Sequence, residues 1–323
     1  MNSHQSALVA VIGAGTMGAG IAQSFAQTGF RVFLIDEAQD ALDRALALIE
    51  TNLGQLIEFG LIEDDAGTIL GRISAHEGVA ALAGAEDLRL VVETIPEDLE
   101  LKRALFAKLD ELDESVIIGS NTSSMTKSAI SEGMRSAHTA VGLHYFNPAH
   151  IIPAVEVHRG AETSDEAVAA ARQLVESTGK ISIIVRKELP GFVINRLTGA
   201  LEREIDYLLD EGVVTPEDLD KAVKASLGFR LACVGPMEAE DMIGLDIAAR
   251  VSSNLYKVLS NSTEPSPEIF EKVDRGELGV KSGRGWYDYP DDHRESILEK
   301  RKARLLRQLV LFHKAADDNG NES

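Results

Sequence analysis

The stretch that most constrains the fold of this chain runs from residue 7 to residue 36, where two short apolar runs enclose a glycine-rich turn and a helical pattern. The runs ALVAVIG and RVFLID are typical of buried strands. Between them, apolar side chains recur at helical spacing, at Met17, Ile21, Phe25 and Ala26. A strand, a tight turn, a helix and a second strand in this order predict the first unit of a parallel sheet.

The turn has the spacing GxGxxG and consists of Gly13, Ala14, Gly15, Thr16, Met17 and Gly18. Such a turn lets backbone amides approach a pyrophosphate, and the N-terminus of the next helix adds partial positive charge. The pattern is weak alone, but here Asp36 follows at the end of the next strand. Asp36 can accept hydrogen bonds from both ribose hydroxyls and would repel a 2′-phosphate, whereas Arg31 is poorly placed to attract one. We therefore predict an NAD site; a glycine turn that binds nothing is the alternative.

Four further apolar runs are expected to be buried strands, at residues 88–94, 115–121, 139–146 and 181–187. Helical patterns separate several of them, and one long helix is predicted over residues 38–59. Strands that alternate with helices predict an α/β fold with a largely parallel, doubly wound sheet.

The pattern changes near Pro190, after which helical signals dominate. Thr215-Pro216 and Ser266-Pro267 each have the form of a helix start, a capping side chain followed by proline. The predicted domains are residues 1–189, with a helical arm at about 38–70, then an all-helical domain over 190–290 and a charged helical tail over 291–323.

Composition excludes several functions for the 323 residues. With 52 acidic and 32 basic residues the formal charge is −20, which disfavours nucleic acid and anionic membranes as partners and leaves a small-molecule substrate. The single cysteine, Cys233, excludes an internal disulfide and fits a reducing cytosol. The first residues lack the pattern of a signal peptide, and no run of 18 apolar residues occurs. We expect a cytoplasmic protein.

Several segments together resemble the 3-hydroxyacyl-CoA dehydrogenase family: VIGAGTMGAGIAQ, VVETIPEDLELK, SNTSSM, GLHYFNPAHIIPAVEV, LPGFVINR and KSGRGWYDY. They occur in the family's order from residue 11 to about residue 289. The resemblance implies a Rossmann-like NAD domain followed by a helical domain that mediates dimerisation, and hence a homodimer. It also implies reversible oxidation of an L-3-hydroxy group to a 3-oxo group with NAD.

The resemblance assigns the catalytic pair to His144 and Glu156. Oxidation of a secondary alcohol needs a base for the hydroxyl proton, and a carboxylate bound to one ring nitrogen would fix the tautomer of that base. The turn with Pro148 and Pro153 can bring the two residues side by side. His150, within this turn, is the spare histidine, either structural or facing the substrate.

Further site residues follow from the same resemblance. Ser123 and Asn195 match polar residues around the substrate oxygens, although SNTSS can also be a plain polar turn and Asn195 a helix-start residue. The remaining matches are to groups near the nicotinamide end of the cofactor: Glu97, Lys102, Asn147 and Lys281. Lys102 and Lys281 are alternatively solvated surface lysines. No metal ion is expected.

The chain departs from the family where CoA would bind. Family members that act on CoA thioesters have a run like NPVPVMKLVEV, whereas this chain has NPAHIIPAVEV, with Pro153 in place of the lysine. Residues 45–71 hold no lysine or arginine, and five acids stand there, Glu50, Glu58, Glu63, Asp64 and Asp65. An acidic arm should repel the 3′-phosphate of CoA.

We therefore expect a small hydroxy acid without CoA, as in relatives such as carnitine dehydrogenase, gulonate dehydrogenase (lambda-crystallin) and a pyridine-carboxylate dehydrogenase of vitamin B6 breakdown. A short 3-hydroxyacyl-CoA such as 3-hydroxybutyryl-CoA is one alternative. A non-catalytic NAD-binding sensor or crystallin-like protein is another. That alternative predicts that catalytic residues have been replaced, yet Ser123, His144, Glu156 and Asn195 are all present.

Overall fold

The computed structural model describes residues 7–320, with side chains for residues 7–314. Within this range eight strands form one sheet in the order β3-β2-β1-β4-β5-β6-β7-β8. The strands are β1 Leu8–Ile12, β2 Arg31–Asp36, β3 Ile73–Glu77, β4 Leu88–Glu93, β5 Ile117–Ser120, β6 Ala140–Tyr145, β7 Ala154–His158 and β8 Ile181–Val185. Neighbouring strands run parallel except β6 and β7, which are antiparallel. The predicted α/β class with a largely parallel sheet is confirmed.

Helices cover both faces of this sheet. They are α1 Thr16–Gln27, α2 Gln39–Glu58, α3 Ala66–Leu70, α4 Leu99–Leu109, α5 Lys127–Ile130 and α6 Asp165–Glu176. Successive strand residues point to opposite faces, so β1 contributes side chains to two hydrophobic cores, one on each face of the sheet. Val9 and Val11 pack with α1, α2 and α6, whereas Ala10 and Ile12 pack with α4. The central strand is buried on both sides, as its uninterrupted apolar run indicates.

Strand β3 was not predicted from the sequence. It forms one edge of the sheet beside β2, and it reads ISAHE, with polar residues at alternate positions and only partial burial. A strand of this kind lacks the apolar run by which the other strands were recognised. Its pairing with β2 depends on a partner more than thirty residues earlier in the chain.

The helices of the second half form a separate compact unit over residues 194–300. They are α7 Ile194–Asp210, α8 Pro216–Ala222, α9 Gly228–Leu231, α10 Pro236–Ile243, α11 Leu245–Leu255, α12 Pro267–Asp274 and the start of α13 Asp291–Gly320. The two predicted helix starts are found: Thr215 accepts from the Asp218 amide, and Ser266 accepts from the Glu268 amide.

The later part of α13 belongs to the first unit from Arg301 on. Leu306 and Leu309 are buried against Leu56 and Ile151. The Lys302 ammonium donates to the Asn52 side chain at 2.8 Å. This part of the tail therefore packs on the arm formed by α2. Along the described residues, no helix combines the length and the apolar character that a bilayer crossing requires.

Candidate active site

The glycine turn between β1 and α1 has the geometry that its spacing predicts. Gly13 has φ +103°, and a Cβ there would lie 2.7 Å from the Thr94 hydroxyl. A Cβ at Gly18 would lie 1.8 Å from the Gly13 carbonyl oxygen. By contrast, a Cβ at Gly15 would meet no atom within 4 Å. Two glycines are thus required by the protein's own packing, while Gly15 leaves open space where a pyrophosphate would approach.

A cleft of about 870 Å³ lies beside this turn. Gly15, Thr16 and Asp36 line it, together with Arg44, which is ion-paired with Asp40 at 2.5 Å. Asp36 Oδ2 accepts from the Ala14 amide at 2.7 Å, so the acid expected to bind ribose also holds the glycine turn. The open turn, the helix N-terminus and this carboxylate fit the adenosine half of NAD.

A second polar cluster lies where β4 and β5 end. Glu97 Oε1 accepts from the amides of Ser123 and Ser124 at 3.0 Å each, and from the hydroxyls of Thr122 and Ser124. Burial alone would raise the pKa of Glu97, but these hydrogen bonds and the charge of Lys102 lower it to about 2. Glu97 therefore fixes the SNTSS turn that carries Ser123.

Lys102, predicted to lie near the cofactor, is a buried residue with 1% exposure. Its ammonium lies 2.6 Å from Glu93 Oε1 and 3.3 Å from Glu97 Oε2, and it donates to the Ile95 carbonyl. Glu93 also accepts from the Ser120 hydroxyl at 2.6 Å. The alternative of a solvated surface lysine is wrong, because the side chain is enclosed by these carboxylates.

His144 and Glu156 are directly paired across β6 and β7. The His144 Nδ1 atom lies 2.8 Å from Glu156 Oε2, and both side chains are buried, with 7% and 0% exposure. An ionised carboxylate only accepts, so Nδ1 carries the proton of the neutral ring. Nε2 is then the unprotonated nitrogen, the atom that a base requires.

The loop after β8 completes the surroundings of this pair. Phe192 is buried with φ +52°, a conformation that a bulky residue rarely adopts. It places the Val193 amide 3.1 Å from Glu156 Oε1 and the Phe192 ring 5.5 Å from the His144 ring, centre to centre. The strained backbone thus holds the carboxylate and packs an apolar ring beside the imidazole.

A third titratable side chain, His158, lies next to the pair. The ligand atoms of His144, Glu156 and His158 all lie within 4.8 Å of one another. The 2.8 Å between His144 and Glu156 is nevertheless a hydrogen-bond length, whereas two ligands of a tetrahedral zinc ion lie about 3.3 Å apart. The spacing suits a shared proton better than a metal ion.

His150 faces away from this cluster. It lines a small cavity with residues of α1, α2 and α13 and with Lys180. Burial lowers the pKa of His150 to about 4, and the charges of Lys302 and Lys180 add to this effect. The ring is therefore neutral at physiological pH, as a structural histidine would be.

Three further predicted residues lie in the turn after β6 and in the second unit. Asn147 is exposed in the turn after β6 and precedes Pro148 through a cis peptide bond. Asn195 is the second residue of α7 and Lys281 lies in the short helical turn Val280–Ser282, both exposed and both in the second unit. Their roles toward the cofactor and the substrate stay predictions.

Sequence reasoning missed several residues of the site. Glu93 ends a predicted strand, and a carboxylate at that edge of a parallel sheet is a signal that could have been used. Thr94 holds the glycine turn by donating to the carbonyls of Ile12 and Gly13. His158 could have been found because it follows Glu156 by two residues and so shares its face of the strand.

Comparison with known proteins agrees with this geometry. Residues 8–189 match the family model of the 3-hydroxyacyl-CoA dehydrogenase NAD binding domain, and residues 191–289 match that of the 3-hydroxyacyl-CoA dehydrogenase C-terminal domain. A 5-formyl-3-hydroxy-2-methylpyridine 4-carboxylate 5-dehydrogenase of Mesorhizobium japonicum is 36% identical over 299 residues, 92% of this chain and 96% of the relative. A probable 3-hydroxybutyryl-CoA dehydrogenase of Deinococcus radiodurans is 37% identical over 281 residues, which are 86% of this chain and 99% of the relative.

Solved structures give the same two groups. The crystal structure of a 5-formyl-3-hydroxy-2-methylpyridine 4-carboxylic acid 5-dehydrogenase, described as an NAD+ dependent dismutase, superposes with a TM-score of 0.87 at 33% identity and covers 95% of this chain and 99% of its own. The crystal structure of the (S)-3-hydroxybutyryl-CoA dehydrogenase of Ralstonia eutropha superposes with a TM-score of 0.71 at 35% identity. It covers 88% of this chain and 99% of its own.

Proposed function

Because the chain belongs to the 3-hydroxyacyl-CoA dehydrogenase family of NAD-dependent enzymes that act on a hydroxyl group, we propose that it oxidises a small hydroxy acid that carries no CoA. NAD, when bound, accepts the hydride from the carbinol carbon. The residues of this chain bind the cofactor, position the hydroxyl and remove its proton.

His144 is the proposed base. Its Nδ1–H is donated to Glu156, so Nε2 accepts the hydroxyl proton while the hydride leaves. Glu156 orients the ring and stabilises the imidazolium that forms, as a carboxylate does in other histidine dyads. In the reverse direction the same imidazolium donates the proton to the carbonyl oxygen.

Ser123 and Asn195 are proposed to donate hydrogen bonds to the substrate oxygen that gains negative charge during reduction. Glu97 supports this role for Ser123, since it fixes the backbone of the turn with two amide hydrogen bonds. Asp36 is proposed to bind the adenosine ribose. The nicotinamide side of the cofactor site is proposed to be formed by Glu97, Asn147 and Lys281. Lys102 is proposed to support it through its ion pair with Glu97.

The observation that favours a substrate without CoA is the charge of the arm. Glu50, Glu58 and Glu63 are all exposed on α2 and the segment after it, and residues 45–71 contain no basic residue. A nucleotide 3′-phosphate near this surface would be repelled by these acids. Residues 45–71 supply no cation to bind it, and the cations beside the arm, Lys302 and Arg72, are held by Asn52 and Asp64. A small free carboxylate has no 3′-phosphate and avoids this cost.

NADH formation with a panel of substrates tests the proposal. The panel contains 3-hydroxybutyryl-CoA, free 3-hydroxybutyrate, carnitine, gulonate and a formyl-hydroxy-methylpyridine carboxylate of the kind named for the Mesorhizobium relative. We expect the highest kcat/KM with one of the free carboxylates. A kcat/KM for 3-hydroxybutyryl-CoA equal to or higher than that for every free acid would contradict the proposal.

A short 3-hydroxyacyl-CoA is the second candidate, and it is favoured by the 34–37% identity to several proteins named as 3-hydroxybutyryl-CoA dehydrogenases. A non-catalytic NAD-binding role is disfavoured, because Ser123, His144, Glu156 and Asn195 are all present and the His144–Glu156 hydrogen bond is formed. NAD binding without turnover of any panel member would favour that role instead.

We further propose that the enzyme is a homodimer formed through the helical unit. In the single chain, α7 and α10 bury no residue, and large apolar side chains of this unit remain open to solvent: Phe229 at 72% exposure, Met242 at 71%, Leu245 at 62% and Val258 at 68%. A surface of this kind marks a protein interface.

Sedimentation velocity tests the homodimer. The wild type should sediment as a dimer, and Met242→Glu should dissociate it into monomers. Ile181→Glu, at an exposed apolar residue of the first unit, should leave the dimer intact. A monomeric wild type would contradict the proposal.

A further inference from the structure

His158 is a second imidazole on the catalytic carboxylate. It follows Glu156 by two residues on β7, so both side chains point to the same face of the sheet. The ring is 1% exposed, and its Nε2 atom lies 3.5 Å from Glu156 Oε2, the same oxygen that accepts from His144. Neither ring nitrogen of His158 has a hydrogen-bond partner among the side chains and backbone that the structure describes. A buried polar ring in this condition is costly and calls for a reason.

The fold makes room for this ring at a specific place. Gly142 lies directly opposite His158 across β6 and β7, and a Cβ at Gly142 would lie 2.7 Å from His158 Nδ1. On the other side, the Phe192 ring packs against His158 with its centre 3.7 Å away. The imidazole is therefore held between a glycine and an aromatic ring, with its Nε2 edge toward the carboxylate.

The surroundings also select the tautomer. Nδ1 lies over Gly142, where no acceptor for a proton is present among the described residues. Nε2 lies next to Glu156 Oε2, an atom that only accepts while the carboxylate is ionised. A proton on Nε2 thus has an acceptor after a shift of about half an ångström into the hydrogen-bond range, and a proton on Nδ1 has none.

We propose that His158 is a positioning residue that donates its Nε2–H to Glu156 Oε2 and thereby weakens the hold of this carboxylate on the protonated form of His144. The proposal rests on the role of His144 as the base. A carboxylate that accepts from two imidazoles concentrates less charge on either of them. Removal of the second donor would return the full charge of the carboxylate to the His144 imidazolium.

Among the described residues of the first unit, this cluster has charged and polar neighbours. In the same row of the sheet, Ser120 on β5 lies opposite Gly142 and donates to Glu93, whose charge is balanced by Lys102. The β8 residues paired with Glu156 and His158 are apolar, Ile183 and Val185. The loop after β8 contributes the Phe192 ring and the Val193 amide. Among these neighbours, Glu156 is the carboxylate that contacts both His144 and His158.

A matched pair of variants tests the proposal, with the panel substrate that gives the highest rate. His158→Leu keeps an apolar volume but removes the donor, and His158→Gln keeps a donor at the place of Nε2. For His158→Leu, the midpoint of the acid limb of log kcat/KM against pH should rise by about half to one pH unit, so kcat/KM on that limb falls about 3- to 10-fold. His158→Gln should return the limb to within about twofold of wild type. An unmoved limb in His158→Leu, or an equal shift in both variants, would overturn the proposal.

A measurement on the intact wild-type enzyme needs neither variant nor turnover. Ring ¹⁵N spectra should show the neutral His158 protonated at Nε2; protonation at Nδ1 overturns the proposal even if the variants do not fold. The ¹⁵N titration of His144 in His158→Leu and wild type reports the coupling directly. Because this readout does not depend on catalysis, a failure of the His158 proposal is distinguishable from an incorrect assignment of His144 as the base.

Discussion

His144 and Glu156 occupy directly opposed positions on the one antiparallel strand pair of the described sheet, with Nδ1 and Oε2 2.8 Å apart. This register holds the imidazole at Nδ1 and leaves Nε2 as the unprotonated nitrogen, the atom that the proposed base would use. The hairpin between the two residues contains the turn with Pro148 and Pro153. The proposed catalytic geometry is thus a property of strand register, which the insertion or deletion of one residue in the hairpin would destroy.

Replacement of the proposed base should abolish most turnover while leaving the cofactor site intact. His144→Gln is expected to lower kcat by about 10²–10⁴, the usual contribution of a positioned base, because Gln cannot accept the hydroxyl proton. NAD affinity, measured by fluorescence titration, should stay within about threefold of wild type. His150→Gln is the control, since that ring lines a different cavity. A His144→Gln enzyme with the wild-type rate would refute the assignment.

Asp36 should control both affinity and choice of cofactor. Asp36→Ala removes the proposed ribose acceptor and also the 2.7 Å hydrogen bond from the Ala14 amide, so NAD affinity should fall about tenfold or more. The ratio of kcat/KM for NAD over NADP should fall as well, because the charge that repels a 2′-phosphate is gone. Glu37→Ala, at the neighbouring position of the same cleft, should leave the ratio unchanged. An unaltered ratio in Asp36→Ala would contradict this reading.

Glu97 should stabilise the fold in a pH-dependent way. Its pKa is lowered from 4.5 to about 2 in the folded chain, so its contribution is present above pH 4.5 and is lost as the pH falls toward 2. Glu97→Gln should therefore lower the melting temperature at pH 7, and the difference from wild type should narrow between pH 4.5 and the lowest pH at which both fold. Glu111→Gln, exposed on the same unit, serves as the control. A difference independent of pH would mean that the hydrogen bonds are not charge-dependent.

Reversal of the arm's charge should improve activity on a CoA thioester. Glu58 and Glu63 are exposed, and the double substitution Glu58→Lys, Glu63→Lys supplies cations for a 3′-phosphate. We expect KM for 3-hydroxybutyryl-CoA to fall about 3- to 10-fold at low salt, with the effect shrinking at high salt and absent for free acids. The double variant Glu111→Lys, Glu162→Lys makes the same charge change elsewhere and should leave KM unchanged. If both double variants changed KM for 3-hydroxybutyryl-CoA equally, the acidic arm would not be what disfavours a CoA substrate.

Gly142 should tolerate no larger residue while His158 is present. Gly142→Ala places a methyl 2.7 Å from His158 Nδ1, and the Phe192 ring blocks retreat, so unfolding free energy should fall by about 1–3 kcal/mol. Gly142→Ala combined with His158→Ala should cost less than the sum of the single changes in urea unfolding. Gly54→Ala on α2, where the methyl meets no atom within 4 Å, should not destabilise. Strict additivity would mean that the two residues are not in contact.

Much of the fold follows from local patterns. The glycine turn, the apolar runs of β1, β2 and β4, and the proline-marked starts of α8 and α12 were predicted because each signal lies within a few adjacent residues. The pairing of His144 with Glu156 was also expected, from the family resemblance and from the turn with Pro148 and Pro153. The edge strand β3 was missed, because nothing in ISAHE itself signals pairing with β2.

The sequence by itself determined the fold class and the cofactor turn, because backbone conformation and hydrophobic periodicity are short-range properties. The proposed dyad was assigned by the resemblance of its motifs to the family. Only the tertiary structure decided what surrounds those groups. It buried Lys102 between two carboxylates, turned His150 toward a separate cavity and set His158 beside Glu156 through a glycine on the neighbouring strand. Burial and electrostatic partnership arise from residues far apart in the chain, and no local pattern records them.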